Sequence, residues 1–176
     1  MALSLVIEPL GRHDRTQFRC GEPDLDDWFQ RRAGQDEKRN VARVFVAVDA
    51  TLGLVGFYSL STFSLTIAEV PETIAKKLPR YGLVPAALIG RLARHEEVRG
   101  QGVGELLLAD AIQRILRAGQ EVAVFAIVVD AKSKHAASFY ESFGFTPFPS
   151  NPTRLFLTSA TAAKAAAASD VPNRRS

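Results

Sequence analysis

A glycine-rich turn between a predicted strand and a predicted helix constrains the fold of this 176-residue chain more than any other feature. The apolar segment Ala86–Leu92 predicts a strand, and the sequence RGQGVGELLL follows soon after it. Glycines lack a Cβ atom, so such a turn can take positive φ and bring its backbone N–H groups close to a ligand. A helix predicted over Val103–Ala118 would add the positive end of its dipole, and Arg99 adds a full charge. The turn therefore predicts a phosphate-binding loop, although three glycines can also form a flexible turn that binds nothing.

Two common phosphate-binding loops do not match this turn. A Walker loop has Lys followed by Ser or Thr after its last glycine, whereas Gly104 is followed by Glu105 and Leu106. A dinucleotide-binding fingerprint reads G-x-G-x-x-G, whereas this chain has G-x-G-x-G. The turn instead resembles the R/Q-x-x-G-x-G/A signature of the GCN5-related N-acetyltransferases (GNAT). The resemblance implies that the pyrophosphate of acetyl-coenzyme A binds at Arg99, Gly100, Gln101, Gly102, Val103 and Gly104.

The composition, 47% hydrophobic and 23% charged, is typical of a soluble globular protein. No apolar run is long enough to cross a bilayer and the opening MALSLVIEPL lacks a basic signal-peptide region, so we expect a cytoplasmic protein. Cys20 is the only cysteine, which excludes an internal disulfide, and the three scattered histidines predict no metal site. We see no internal repeat. We predict one domain over residues 1–158, followed by an alanine-rich tail over residues 159–176 that is a frayed helix or flexible.

Positive charge is concentrated between positions 74 and 99, although the net charge of the chain is only +3. The acidic residues of this segment are Glu96 and Glu97. Its basic residues are Lys76, Lys77, Arg80, Arg91, Arg94 and Arg99. Because the segment adjoins the predicted loop, it favours a polyanionic partner, although a run of charge is often only a solvated surface.

The periodicity of apolar residues predicts alternating strands and helices. The predicted strands are Leu5–Glu8, Arg43–Val48, Leu54–Ser61, Ala86–Leu92, Val122–Val129 and Arg154–Leu157, the second and third forming a hairpin around Asp49–Gly53. Four helices are predicted. The first begins at an Asp24 N-cap, and the second extends from Pro71 to Leu78 before a Pro79–Pro85 connector. The third covers Val103–Ala118, and the fourth covers Ser133–Phe143 and ends at Gly144. This order predicts an α/β fold with a mixed, twisted central sheet flanked by helices.

The helix predicted over Ser133–Phe143 carries the candidate catalytic residue. Phe139 and Phe143 are four residues apart and face the same way, so we predict that both belong to the core, as does Trp28. Tyr140 lies about 100° further around the helix and need not join that stripe. A phenol, whose usual pKa is about 10, is protonated at neutral pH and can donate to a thiolate leaving group. The alternative is a buried structural tyrosine.

Further segments extend the resemblance along nearly the whole chain except the tail. They are FRCGEPDLDDWF, RVFVAV, GFYSLS, PAALIGRLAR, RGQGVGELLLADA, and FYESFGFTPFP with RLFL. In this order they resemble the acetyltransferase toxins of type II toxin-antitoxin modules. The resemblance implies acetylation of the α-amino group of an aminoacyl-tRNA, which blocks translation, and neutralisation by a ribbon-helix-helix antitoxin. We also expect a homodimer.

The same resemblance assigns site residues. It implies that Tyr140 is catalytic and that the backbone of Leu92, Ala93 and Arg94 pairs with the pantetheine arm. Arg94 departs from the small apolar or aliphatic residue expected at its position. We predict tRNA contacts for Lys76, Lys77, Arg80 and Arg91.

The chemistry of the amine supports this substrate independently. An amine must be neutral to attack a thioester, and the ester of an aminoacyl-tRNA makes its α-amine less basic than a lysine side chain. No strong base is therefore required, and His95, Glu96 and Glu97 are expected to be solvated surface. A GNAT enzyme acting on a polyamine, an antibiotic or a protein N-terminus remains an alternative, although the basic segment argues against cationic substrates. A binding module without catalysis is another.

Overall fold

The structure is a computed structural model that describes residues 2–80 and 82–169. Its strands are β1 (Leu5–Pro9), β2 (Arg43–Asp49), β3 (Gly53–Leu65), β4 (Val84–Arg94), β5 (Ala126–Asp130), β6 (Thr146–Phe148) and β7 (Asn151–Thr158). Its helices are α1 (Pro23–Asp27), α2 (Ala33–Lys38), α3 (Glu72–Ala75), α4 (Val103–Ala118), α5 (Lys134–Ser142) and α6 (Ser159–Ser169), with a π-helical turn over Trp28–Arg32 between α1 and α2. The strands form one sheet in the order β1-β2-β3-β4-β5-β7-β6.

The sheet is mixed, as predicted. The pairs β1–β2, β2–β3, β5–β7 and β6–β7 are antiparallel. Strands β4 and β5 are neighbours joined through helix α4, and a helical crossover is the connection that parallel neighbours need. The predicted α/β fold is therefore confirmed.

The chain divides into two compact units, each built from two stretches of sequence. Of the described residues, the first unit comprises 2–61 and 89–113, and the second comprises 62–80, 82–88 and 114–169. Strands β3 and β4 and helix α4 each contribute residues to both units. The predicted division between a domain and a tail after residue 158 stays a prediction.

Aromatic side chains form much of the core of the first unit. The rings of Phe29 and Phe57 stack in parallel with their centroids 4.1 Å apart, and Phe18 meets both of them edge-on. Trp28 is buried beside them, which confirms its predicted place in the core. The aromatic part of this core therefore comes from the loop before α1, the π-helical turn and strand β3.

The first helix begins earlier than predicted. Its first residue is Pro23 and its N-cap is Glu22, so the predicted N-cap, Asp24, lies inside the first turn. Proline suits the first helical position because it lacks an N–H that would have no partner there. A neighbouring acid ties the preceding loop to the helix, since the carboxylate of Asp26 accepts a hydrogen bond from the backbone N–H of Cys20 at 2.9 Å.

The predicted hairpin of β2 and β3 is confirmed, and Asp49 closes its turn. The carboxylate of Asp49 accepts hydrogen bonds of 2.9 Å from the backbone N–H groups of Leu52, Ser4 and Thr51. These bonds hold the pKa of Asp49 below its usual value. Gly53 follows with a φ of 77°, a conformation that favours glycine.

Helix α4 has the predicted bounds. Its apolar side, which includes Val103, Leu107 and Ala111, is buried. The helix ends before Gly119, whose N–H donates to the carbonyl oxygen of Ile115 at 2.8 Å. No helix within residues 2–80 and 82–169 is long and apolar enough to cross a membrane.

The prediction that Val122–Val129 is one buried strand is wrong for its first half. Strand β5 begins only at Ala126, and the side chain of Val122 is 69% exposed. The reason is the tight turn after α4, in which the N–H of Val122 still bonds to the carbonyl oxygen of Ala118 at 3.0 Å. Apolar composition alone does not show where such a turn ends. Strand β7 is longer than predicted, and the short strand β6 was not predicted.

Helix α3 is shorter than the predicted Pro71–Leu78 helix, although turn hydrogen bonds continue it to Leu78. Pro71 is its N-cap rather than part of its first turn. Strand β4 begins at Val84, inside the predicted connector. Part of the alanine-rich tail forms helix α6, whose first residue donates from its side chain to the carbonyl oxygen of Val124 at 2.6 Å. Residues 170–176 lie outside the described residues.

Replacing Gly56 by alanine should lower the free energy of unfolding by about 1–3 kcal/mol. A Cβ atom there would lie 2.7 Å from Cδ1 of Leu107 and 3.1 Å from the carbonyl oxygen of Ala93. The leucine can rotate, but the carbonyl belongs to β4, so the strand itself must shift. Urea denaturation measures the change, and Gly11→Ala is the matched control because its Cβ atom would meet nothing closer than 3.8 Å. Equal stability of the two variants would contradict this prediction.

Candidate functional site

The segment between β4 and α4 is ordered by hydrogen bonds. The N–H of His95 donates to the carbonyl oxygen of Val55 at 2.7 Å, and that of Glu96 donates to the carbonyl oxygen of Arg19 at 2.9 Å. The Nδ1 atom of His95 accepts from the N–H of Glu97 at 3.1 Å. Glu96 and Glu97 are exposed, as predicted, whereas His95 is half-buried and structural. The segment that leads into the glycines is thus tied to β3 and to the loop before α1.

Two of the three glycines have the conformation predicted for a phosphate-binding loop. Gly100 and Gly102 have φ values of 78° and 79°. The prediction is wrong for Gly104, which is the second residue of α4 and has no positive φ. A Cβ atom on Gly100 would meet nothing within 4 Å, and one on Gly102 would meet only a side-chain oxygen of Glu105 at 3.8 Å. The backbone is therefore open on this side and accessible to a ligand.

The first turn of α4 supplies donors beside these glycines. The N–H of Leu106 makes the first helical bond, to the carbonyl oxygen of Gly102 at 3.1 Å. The N–H groups of residues 103–105 consequently have no acceptor inside the helix. Together with the helix dipole and the exposed guanidinium of Arg99, they form a site suited to an anion. Gln101 is exposed in the same loop, and Val103 is buried beneath it.

The predicted pantetheine-binding residues end strand β4. Ala93 is buried in the core of the first unit, whereas Leu92 and Arg94 are half-buried. The absence of a side chain at Gly56 leaves room for the carbonyl oxygen of Ala93 beside β3. The structure thus places Leu92, Ala93 and Arg94 a few residues before the glycine loop, in the same unit.

Arg91 packs against an aromatic ring. Its guanidinium carbon lies 4.1 Å from the centroid of the Trp28 ring. The indole N–H of Trp28 donates to a carboxylate oxygen of Asp36 at 2.9 Å. Burial lowers the pKa of Arg91, and the charge of Asp36 partly offsets this effect. Arg91 therefore has a structural contact beside the tRNA contact predicted for it.

The other predicted tRNA-binding residues lie in the second unit. Lys76 is the C-cap of α3, and Lys77 and Arg80 follow it. All three side chains are exposed. They form a basic stretch beside a short helix, whereas Arg91 belongs to the first unit.

Helix α5 buries Tyr140 rather than the neighbouring phenylalanines. Tyr140 is 7% exposed, and its ring centroid lies 5.3 Å from that of Phe139 and 5.7 Å from that of Phe145. Phe139 and Phe143 are only half-buried, so their predicted core position is wrong. The cause lies beyond the helix, because Gly144, with a φ of 94°, turns the chain so that Phe145 covers Tyr140.

The hydroxyl of Tyr140 is available to a ligand. It forms no hydrogen bond with any residue in 2–80 or 82–169. Every fully buried side-chain oxygen of these residues has a hydrogen-bond partner, so this oxygen is not fully buried. The hydroxyl is therefore the part of the side chain that reaches the surface. Burial, and secondarily the negative charge of Asp130, raises the pKa of Tyr140 to about 12. The phenol is thus a proton donor at neutral pH.

Two polar pairs near these elements were not found from the sequence. At the end of β5, Asp130 accepts two hydrogen bonds from Arg154, at 2.7 and 3.1 Å. In the first unit, the hydroxyl of Tyr58 donates to the carboxylate of Asp110 and ties β3 to α4. The only available signal was that Asp130 directly follows an apolar strand. Among the described residues, no three His, Cys, Asp or Glu side chains form a group that could hold a metal ion.

Comparison with known proteins gives a consistent result. Residues 40–147 match the acetyltransferase (GNAT) domain family. A probable toxin TacT of Sinorhizobium fredii is 34% identical, over 91% of this chain and 94% of its own. A tRNA-acetylating toxin of Mycobacterium tuberculosis is 37% identical, over 82% of this chain and 85% of its own. The solved structure of AtaT complexed with acetyl-methionyl-tRNAfMet has a TM-score of 0.85 and 27% identity, covering 92% of this chain and 99% of that chain.

The phenol of Tyr140 should keep its proton until about pH 12, whereas an unperturbed tyrosine ionises near pH ~10. Ring carbon NMR measures this titration, and the spectrum of Tyr140→Phe identifies the resonance. Because the folded protein favours the protonated form, the free energy of unfolding should fall as the pH rises above about 10. A midpoint near the unperturbed value would show that the ring is not buried as the structure has it.

Proposed function

The chain belongs to the GNAT acetyltransferase family, and we propose that it transfers the acetyl group of acetyl-coenzyme A to the α-amino group of an aminoacyl-tRNA. The similar tRNA-acetylating toxin and the tRNA complex of AtaT support this substrate class. The observation that carries the proposal is the ordered loop with positive φ at Gly100 and Gly102, directly before the free N–H groups of α4.

The loop residues fit the pyrophosphate of acetyl-coenzyme A. Gly100 and Gly102 have positive φ, and the space that a Cβ atom would occupy at either position is open. Arg99 supplies a full positive charge, and Gln101, Val103 and Gly104 continue the loop into the helix. This combination of donors, helix dipole and one guanidinium suits a charged diphosphate.

Acetyl-coenzyme A supplies an acetyl group that is already activated as a thioester. The chain then has to orient the reactants and stabilise developing charge rather than activate the acyl group. We assign orientation to the backbone of Leu92, Ala93 and Arg94 at the end of β4. Strand N–H groups there would pair with the pantetheine arm and polarise the thioester carbonyl.

Tyr140 is the proposed general acid. Its hydroxyl reaches the surface while its ring contacts Phe139 and Phe145, which fixes the position of the phenolic oxygen. Because burial raises its pKa to about 12, Tyr140 holds its proton at its phenolic oxygen throughout the physiological range. It can donate that proton to the departing thiolate. No strong protein base is needed, because part of the α-amine of an aminoacyl ester is already neutral near pH 7 and the proton that its nitrogen loses after attack passes to solvent.

The proposed partners are the tRNA substrate, an antitoxin and a second copy of the chain. The exposed side chains of Lys76, Lys77 and Arg80 would contact the tRNA backbone. Arg91, whose guanidinium lies over the Trp28 ring, would contact it as well. As a toxin that blocks translation, the protein would act in the cytoplasm and be neutralised by a ribbon-helix-helix antitoxin. We propose that it works as a homodimer.

Replacing Gly102 by aspartate should abolish binding of acetyl-coenzyme A. The change adds a side chain and a negative charge where the diphosphate must approach. Calorimetry of the folded variant measures the affinity. Gly53→Asp is the matched control, since Gly53 also has a positive φ and open space around it but lies in the β2–β3 turn. Unchanged affinity in Gly102→Asp would remove the loop from the cofactor site.

Adding charged tRNA and acetyl-coenzyme A to the protein should release coenzyme A and leave an acetylated α-amine on the tRNA. A polyamine or a peptide N-terminus should not replace the tRNA. Tyr140→Phe should lower kcat about 10²–10⁴-fold with nearly unchanged affinity for acetyl-coenzyme A, because general acid catalysis contributes only in the transition state.

Two results would contradict the proposal. Faster acetylation of a small amine than of charged tRNA would make this a GNAT enzyme with a different substrate. Near-parental turnover by Tyr140→Phe would assign the proton donor elsewhere and leave Tyr140 as a packing residue. Mass spectrometry of the released aminoacyl group distinguishes acetylation of the α-amine from hydrolysis of the ester.

A further inference from the structure

A basic cavity in the first unit is lined by none of the residues assigned to the reaction. It has a volume of about 590 Å³ and lies between the end of β1, the loop that follows it, and the helical segment from Arg31 to Lys38. Ligand sites are typically between about 300 and about 1,000 Å³, so the cavity is large enough for a ligand rather than a single ion.

The charges that line the cavity are nearly all positive. Arg12, Arg15, Arg31 and Lys38 carry four positive charges there, against one acidic residue, Glu37. Both carboxylate oxygens of Glu37 already accept hydrogen bonds within the fold, one from Arg43 at 3.1 Å and the other from the N–H of Val44 at 2.7 Å. A strongly positive potential therefore remains in the cavity.

One of these cations is held in place by the fold. An Nη atom of Arg15 donates to the carbonyl oxygen of Phe29 at 2.9 Å, and its guanidinium carbon lies 5.9 Å from the centroid of the Phe29 ring. Gly34 makes room for it, because a Cβ atom at that position would lie 3.3 Å from the other Nη atom. A guanidinium fixed in this way loses little entropy when it binds a ligand.

The other cations can turn toward a ligand. The side chain of Arg31 is 77% exposed and lies 3.5 Å from the carboxylate of Asp27, which Arg32 also approaches at 3.6 Å. Such exposed pairs contribute little to stability, so Arg31 can exchange this partner for a phosphate. Arg12 and Lys38 are exposed as well.

The chemistry of the cavity selects phosphate over an apolar or base-stacking ligand. Leu10 contributes the only apolar side chain among the nine residues that line it, and none of the nine is aromatic. Bases are usually held by stacking on aromatic rings, whereas guanidinium groups match phosphate oxygens with two parallel hydrogen bonds. We propose that this cavity binds backbone phosphates of the tRNA substrate, as an anchor separate from the basic stretch at positions 76–80. The proposal rests on the proposed function for its choice of nucleic acid.

The test compares two double variants with the same change of charge. Arg12→Ala/Lys38→Ala removes two cations from the cavity, and Arg39→Ala/Lys164→Ala removes two exposed cations outside it. Fluorescence anisotropy with deacylated tRNA measures affinity at several salt concentrations. The cavity variant should bind about tenfold more weakly, and its log–log salt slope should be shallower by about one to two, whereas the control should match the parent protein.

Three outcomes would overturn the proposal: equal losses in both variants, no loss in either, or a cavity variant that loses binding of poly-glutamate but not of tRNA. The last would make the cavity a site for an acidic protein. Because the binding assay involves no acetylation, it separates this proposal from the proposed function. If the cavity variant acetylates charged tRNA with an unchanged KM, the proposed cavity anchor is wrong and the proposed function stands. Normal tRNA binding through the cavity without any acetylation would overturn the proposed function alone.

Discussion

The start of helix α4 beside the end of strand β4 depends on a left-handed turn through Gly100 and Gly102. Any side chain at these positions would strain the backbone and fill space that is open in the structure. The absence of a side chain at Gly56 then lets Leu107 of the helix and Ala93 of the strand pack closely on β3. The anion site is therefore a property of the rigid backbone, and Arg99 adds only charge to it.

The surroundings of Tyr140 serve packing and chemistry at once. Its ring is enclosed by aromatic neighbours, and this burial is what raises the pKa of the phenol and keeps its proton at neutral pH. Asp130 acts in the same direction, while its own charge is held by Arg154. A buried ring keeps the phenol protonated, and an accessible hydroxyl lets it donate that proton to a ligand. A solvated tyrosine lacks the first property and a fully enclosed one lacks the second.

Positive charge has two sources in the structure. One is local in sequence, the exposed stretch from Lys76 to Arg80. The other exists only in the folded first unit, where Arg12 and Arg15 from one loop meet Arg31 and Lys38 from the helical segment. A modest net charge of +3 therefore says little about how strongly a particular surface attracts a polyanion.

The sequence by itself determined the features that depend on nearby residues: the bounds of α4, the β2–β3 hairpin and the conformation of Gly100 and Gly102. Helical periodicity, turn residues and the lack of a Cβ atom act over a few positions and need no tertiary context. Only the tertiary structure decided that Tyr140 rather than Phe139 is buried. Adjacent helix positions face different sides, and the side that becomes buried is the one that a neighbouring element covers. The basic cavity was decided in the same way, since electrostatic potential depends on distance in space and not on distance along the chain.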